Sequence, residues 1–484
     1  MLAQLDFAPP TTRPFAERHA LIIVPAGKVL PKDLPGRDSL RKVLARRDLK
    51  PGDLAKSAVS ADLGDGTLCV WAGWDGSQAR FDRLSALRKA TQSLLDDGAR
   101  RIEVHLAGEL PEAAAADALY VLWANGAPLP VAKRKAERKP LERIVWHGTA
   151  PAEADRELMA AVAEGNRLAR ELTVAAPNWL TPKEYRQRIA RIAKDAGLTH
   201  TEYDIKKLRK LGAGAFLAVA RGSGDDDGAA IVHLGYTPRQ ARHHIALVGK
   251  GICFDTGGHN LKPARYMAGM HEDMAGSAVV LGILQAARRL RLPVRIDAWL
   301  AIARNHLSPD AYTQGEIVTA LDGTTIEVVH TDAEGRMVLA DTLTLAGREK
   351  PDTVVDFATL TGSMIMALGT RQSGVLSPDT ELAARAVALG TACGERLVAF
   401  PVPADYDSEL DSKVADVKQC TLDGEADHIL AATFLQRFVG KRPWLHVDLA
   451  AANCKGGLGA IASDVTGFGV AWGIEFLRRR STGI

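Results

Sequence analysis

The chain has 484 residues, of which 46% are apolar, 25% charged and 5% aromatic, and its 61 basic side chains nearly balance 58 acidic ones for a formal charge of +3. Such an apolar fraction supports packed cores and excludes a disordered, fibrous or disulfide-scaffolded chain, and the charge balance excludes a whole-chain polyanion binder. At about 150 residues per domain, the length allows three domains, or two if one is a large α/β unit.

The opening run MLAQLDFAPP puts Asp6 and two prolines where a secretory signal needs an unbroken apolar stretch. No apolar run reaches the ~18 residues that a membrane span requires, so no membrane association is expected. Cys69, Cys253, Cys393, Cys420 and Cys454 are odd in number and scattered, with no CxxC pair, as expected of reduced thiols in a cytoplasm. Ala20–Pro25 and Thr67–Ala72 read as strands between Pro/Gly-rich turns and basic helical stretches. Residues 1–150 are therefore expected to form a smaller N-terminal α/β domain with a role in recognition or assembly. The charged stretch Lys133–Pro140 ends it. Acidic Glu137 interrupts the basic run and no aromatics interleave, so it reads as a linker or solvated helix face, and nucleic acid is not an expected partner.

Residues 151–484 are more regular. Glu153–Leu172 and Pro182–Ala196 space their apolar residues as helices do, and Thr181-Pro182 opens the second as a cap followed by a helix-initiating proline. Strand-like runs then follow at Ile245–Val248, Ile296–Ile302, Ile326–Val329, Val354–Ala358 and Leu445–Leu449, with helical segments that include Gly276–Arg289 and Met337–Arg348 between them. The alternation predicts an α/β fold, a mostly parallel sheet with helices on both faces. Ligands of such sheets sit beyond the carboxyl ends of the strands, which directs attention to residues 249–263, 330–336 and 359–362.

These connections, and the start of the helix at Gly276, carry four acids, Asp255, Asp273, Asp332 and Glu334, together with Lys250, Lys262 and Arg336. Carboxylates gathered against a sheet repel unless something positive joins them. The basic residues could do so, or divalent cations could, since carboxylate oxygens suit hard and borderline ions and two ions about 3.5–4 Å apart need shared carboxylates. Each acid also has a plainer use. Asp273 could cap the helix after it, Asp255-Thr-Gly-Gly could be a turn, and Asp332 and Glu334 could serve a helix start. Arg336, in the first turn of a helix, opposes the dipole at a cost of about a few tenths of a kcal/mol unless an anion compensates. Lys250, between two glycines, is expected at a sharp backbone turn with its amine shut off from water, and a buried amine tends to lose its proton and can then ligate a metal.

Val248-Gly-Lys-Gly-Ile-Cys-Phe-Asp-Thr-Gly-Gly258, Lys262-Pro263, Glu272-Asp-Met-Ala-Gly276 and Thr331-Asp-Ala-Glu-Gly-Arg336 closely resemble the motifs of the leucyl (cytosol) aminopeptidase family, peptidase family M17. The likeness covers roughly residues 160–480 and fades in the first 150. It implies a metallo-exopeptidase that removes N-terminal, preferentially apolar residues from peptides by a water activated between two divalent ions, zinc or manganese, with magnesium a further candidate. Lys250, Asp255, Asp273, Asp332 and Glu334 would be the ligands, Asp255 and Glu334 bridging. Lys262 would polarise the oxyanion, and Arg336 would hold a bicarbonate that acts as general base. Met270, Thr359, Leu360, Gly362 and Ala451 would line the pocket for the first side chain, and the chain would form a homohexamer in the cytoplasm. His330, Met337 and His259-Asn260-Leu261 depart from the usual pattern without touching the ligands. A narrower dipeptidase, for instance one acting on Cys-Gly, and a DNA-binding protein that retains the peptidase fold are the competing readings. No GxSxG, P-loop, HExxH or GxGxxG motif supports another enzyme class.

Overall fold

The computed structural model describes residues 2–9, 15–134, 138–224 and 228–481, so the middle of the charged stretch, Lys135–Glu137, lies outside the described residues. The chain forms two compact units. The first comprises Met1–Glu164 with two later segments, Thr391–Glu395 and Cys454–Thr466; the second comprises Gly165–Gly390, Arg396–Asn453 and Gly467–Ile484.

In the first unit the strands are β1 (Gln4–Ala8), β2 (His19–Pro25), β3 (Val59–Asp62), β4 (Leu68–Trp74), β5 (Arg101–Leu106) and β6 (Arg143–His147). They form a six-stranded sheet in the order β1-β6-β5-β2-β4-β3, parallel throughout except for the β3–β4 edge. Helices α1 (Arg37–Arg46), α2 (Arg80–Asp96) and α3 (Glu112–Gly126) pack with it. The β2 run Ala-Leu-Ile-Ile-Val is buried from end to end, as a strand covered on both faces must be. Alanine-rich α3 is buried from Ala114 to Gly126, its small side chains combining high helix propensity with close approach.

Helix α4 (Glu153–Thr173) crosses the division between the units. Its Gly165 is the first residue of the second unit, and a Cβ there would lie 2.4 Å from the Gly282 carbonyl of the same unit. Helix α5 (Pro182–Ala196) starts as expected. The Thr181 hydroxyl accepts from the Glu184 N–H at 3.2 Å, and left-handed Gly197 ends the helix. Strands β7 (Thr199–Asp204), β8 (Ala230–Tyr236), β9 (His244–Asp255) and β10 (Arg295–Asn305) follow, then β11 (Ile317–Thr319), β12 (Thr325–Glu327), β13 (Thr353–Ala358), β14 (Ser373–Leu376), β15 (Leu397–Phe400), β16 (Val417–Lys418) and β17 (Trp444–Asp448). The accompanying helices are α6 (Ile205–Leu211), α7 (Gly214–Ala220), α8 (Ala264–Met267), α9 (Ala275–Arg289), α10 (Glu334–Arg348), α11 (Gly362–Leu368), α12 (Thr380–Cys393), α13 (Asp427–Val439) and α14 (Val470–Ser481).

Eight strands form the main sheet in the order β15-β14-β17-β13-β9-β10-β8-β7, with a parallel centre, β17-β13-β9-β10, flanked by antiparallel neighbours. The period of two along β9 explains the helices on both faces. Gly249 and Gly251 meet Ser277 of α9, while Ala246, Val248 and Ile252 join an apolar cluster with Met337, Leu339 and Leu343 of α10. One expected strand is placed differently. The Ile326–Val329 run contributes only β12, in a separate three-stranded sheet with β11 and β16. Among the described residues, no helix is long and apolar enough to cross a membrane.

Candidate metal centre

Strand β9 does not turn at Lys250. It continues to Asp255, with its pairing to β10 shifting register only between Ile252 and Asp255, and the glycines on either side of Lys250 serve another purpose. A Cβ on Gly249 would lie 2.5 Å from the Ser277 Cα, and one on Gly251 would lie 2.8 Å from the Ala301 carbonyl. Gly276 completes the fit, since its Cβ would lie 2.0 Å from the Phe357 carbonyl. Only bare backbone lets the start of α9 sit this close to β9 and β13. The expected turn is therefore replaced by close helix–strand packing, and that packing carries Asp273 to the sheet.

At the carboxyl end of the strands the charged groups meet. Asp255 is the last residue of β9. Its Oδ1 accepts from the Gly257 N–H and from Asn305 Nδ2, both at 2.8 Å, and its Oδ2 lies 2.8 Å from Lys262 Nζ. The turn reading and the charged reading of Asp255 thus both hold, with Gly257 and Gly258 at positive φ bringing the chain back to Lys262. Asp273 does not cap α9, whose N-cap is Met274 and lacks a side-chain cap. Instead its Oδ1 accepts from the Thr359 hydroxyl at 2.7 Å, and its Oδ2 lies 2.8 Å from Lys250 Nζ. Glu334 opens α10 and places Oε1 2.7 Å from the same amine, which also donates to the Thr359 carbonyl at 3.1 Å. Asp332 faces Lys262 Nζ at 2.5 Å and caps nothing. One oxygen each from Asp255, Asp273 and Glu334 lie within 4.8 Å of one another.

Four carboxyls share two amines, and the imbalance shows. Burial pushes the Asp273 and Glu334 carboxyls above their usual range, and neighbouring carboxylates push further. Burial with the charges of Asp255 and Glu334 takes Asp332 up to about 7, against the pull of Lys262. Burial works against the charge on Lys250, but Asp273, Glu334 and Asp255 outweigh it and hold the ammonium well above the lysine range. The acids around Lys250 thus hold its proton against burial, and cations that took up their negative charge would remove that hold and free the amine to ligate. Asp273 Oδ2, Asp332 Oδ1 and Glu334 Oε1 face these amines without accepting any well-directed hydrogen bond. Buried carboxylate oxygens in excess of their cations, some lacking directed donors, are the donor set that divalent ions fit.

Arg336 is fully buried and its charge is spoken for. Its Nη1 donates to the Gln419 carbonyl at 3.0 Å and its Nη2 to Asp427 Oδ1 at 2.7 Å. The anion that compensates a cation in the first turn of α10 is thus a side chain of α13. Of the expected pocket residues, Thr359 and Leu360 touch the cluster. Thr359 bonds both Lys250 and Asp273, and Leu360 reaches the Gly335–Lys250 contact through its Cδ1. Half-buried Met270 lies on the short turn before Asp273, Gly362 opens α11 beside open space, and Ala451 is buried on the turn after β17. Asp427, Gln419 and Asn305 escape sequence reasoning. Nothing local marks them, because each acts on a partner at least 50 residues away.

Residues 167–472 match the family described as the cytosol aminopeptidase family, catalytic domain. The chain belongs to this family. Among curated members, a probable cytosol aminopeptidase of Afipia carboxidovorans is 40% identical over 321 residues, which is 66% of this chain and 63% of that relative's length. Among solved structures, the bottromycin maturation enzyme BotP in complex with Mn is similar with a TM-score of 0.84 and 32% identity, over 96% of this chain and 100% of that one. A mutant of tomato leucine aminopeptidase has a TM-score of 0.86 and 27% identity, over 99% and 97%. The family match covers the stretch of the second unit that bears the carboxylate–lysine cluster.

Proposed function

We propose that the chain is a metal-dependent aminopeptidase that cleaves the first residue, apolar and leucine-like by preference, from peptides with a free N-terminus. The observation that carries this reading is the meeting of Asp255, Asp273, Asp332 and Glu334 with Lys250 and Lys262 at the carboxyl ends of β9 and β13. Lys250, Asp255, Asp273, Asp332 and Glu334 would hold two divalent ions, zinc or manganese, with Asp255 and Glu334 shared. Bound there, such ions supply an acidified water and a positive field for the developing oxyanion. The manganese named with BotP supports this class of ion.

The chain's own groups supply the rest. Lys262 presents an ammonium beside Asp255 and Asp332, positioned to steady negative charge on a scissile carbonyl oxygen. Lys250 and Thr359 fix the Asp273 carboxylate. Arg336 holds an anion next to the cluster, and the anion at hand is Asp427, so a bicarbonate in that role competes with a built-in carboxylate. Leu360, Met270, Thr359, Gly362 and Ala451 form the wall for the first side chain. A homohexamer in the cytoplasm is the assembly proposed with this activity. The test is metal analysis of the purified chain together with hydrolysis of leucyl anilide and a panel of dipeptides that includes Cys-Gly. Metal-dependent turnover of the leucyl substrate is expected. Absence of turnover after zinc or manganese loading refutes the reading, and turnover confined to Cys-Gly replaces it by the narrower dipeptidase.

A further inference from the structure

A second cluster of ligand-type side chains lies in the first unit, on one face of its sheet. Glu103 and His105 are two residues apart on β5, and His147 is the β6 residue paired with His105. All three are buried. Glu103 Oε2 lies 3.2 Å from His105 Nε2 and 3.3 Å from His147 Nε2. The two rings stack with centroids 4.2 Å apart, and Phe15 packs edge-on against His105.

The hydrogen bonds around the trio fix its chemistry. His147 Nδ1 lies 2.8 Å from the Pro9 carbonyl, which can only accept, so Nδ1 carries a proton. In the neutral ring Nε2 is then a lone pair, and among the described residues it finds no hydrogen-bond donor despite its burial. That lone pair points at a carboxylate oxygen. Two acceptors at 3.3 Å repel unless a cation lies between them. Glu103 Oε1 is already held by the Glu17 N–H at 2.7 Å, and Oε2 meets His105 Nε2 at 3.2 Å, a hydrogen bond when that nitrogen carries the proton and a place for a cation when the proton sits on Nδ1 instead. An imidazole whose far nitrogen donates to a backbone carbonyl, beside a carboxylate that is itself hydrogen-bonded, has the outer shell of a metal ligand.

We propose that Glu103, His105 and His147 form a divalent-metal site of the zinc class, made of residues separate from the carboxylate–lysine cluster and clamping the Pro9 and Glu17 backbone to β5 and β6. Donor spacing supports it. With bonds of about 2.0–2.2 Å, neighbouring ligands of a tetrahedral ion stand roughly 3.3–3.5 Å apart, close to the two Glu–His separations. Two imidazoles and one carboxylate favour zinc, cobalt or nickel over magnesium. Aiming both Nε2 lone pairs at one ion tilts the rings out of their parallel stack, an expected difference between loaded and unloaded protein.

The test uses the full chain with Asp255→Asn and Glu334→Gln, which removes shared acids from the other cluster, titrated with Zn2+ alone. One zinc equivalent is expected to remain, its affinity falling by more than roughly 100-fold when Glu103→Gln or His147→Gln is added. No such equivalent, or one indifferent to both changes, overturns the site. Should that background not fold, the otherwise unaltered chain decides. His147→Gln should lower bound zinc by one equivalent per chain and leave leucyl anilide hydrolysis unchanged; unchanged zinc content overturns it. Imidazole NMR of the chelated chain supplies the remaining arm. A His147 ring that stays doubly protonated when zinc is added shows that a proton alone fills the place, and the proposal fails.

Discussion

The two charged clusters are opposite solutions to the same burial. At the strand ends of the main sheet, four carboxyls outnumber two lysine amines, and burial pushes Asp273, Asp332 and Glu334 upward. On the N-terminal sheet a single carboxyl faces two imidazoles. There burial also works against the charge on Glu103, yet the hydrogen bonds from His105 and the Glu17 N–H hold it below the usual range. Depth is therefore a poor guide to protonation by itself, and the ratio of acids to donors decides the sign. The acid-rich cluster needs cations to neutralise it, whereas the imidazole-rich trio needs only one cation to separate its acceptors.

Making the same exchange in both places gives the sharpest contrast. Glu334→Gln should cut leucyl anilide hydrolysis by about three orders of magnitude and strip bound metal while circular dichroism stays native, because a proposed bridging carboxylate is lost. Glu103→Gln should leave that rate unchanged, and equal losses in the two variants would erase the distinction. Lys262→Ala should lower kcat by roughly 100-fold at unchanged metal content, the signature of a group acting on developing charge. A change confined to KM would make Lys262 a substrate-binding group. Thr359→Val removes the 2.7 Å hydrogen bond to Asp273 and should weaken metal binding about 10-fold by equilibrium dialysis. Unaltered affinity would mean that Lys250 alone orients Asp273. The smallest effect on rate is expected at Asp427. Asp427→Asn should make hydrolysis rise with added bicarbonate, a response the unaltered chain should lack, and should cost about 2 kcal/mol in chemical denaturation because Arg336 loses its ion-pair partner.

Much of the fold was legible because periodicity reports burial directly. Pro182–Ala196 is helical over the predicted span, with its capping Thr181 and terminating Gly197, since caps and turns are local chemistry. The run at Ile326–Val329 misled because a short apolar stretch records that it is buried, not which sheet buries it. Lys250 misled for a related reason. A glycine signals either a turn or a close neighbour, and only Ser277, 28 residues on in the chain, shows which.

The order of strands and helices, the acids beyond strand ends and the family motifs are properties of the sequence itself, because each depends on neighbours a few residues away. Tertiary structure alone decided that Asp427 partners Arg336, that Asn305 steadies Asp255, and that His147 faces Glu103. Those pairings join residues 44 or more positions apart, and what brings them together is the parallel register of strands and the depth at which bare glycine backbones let helices pack.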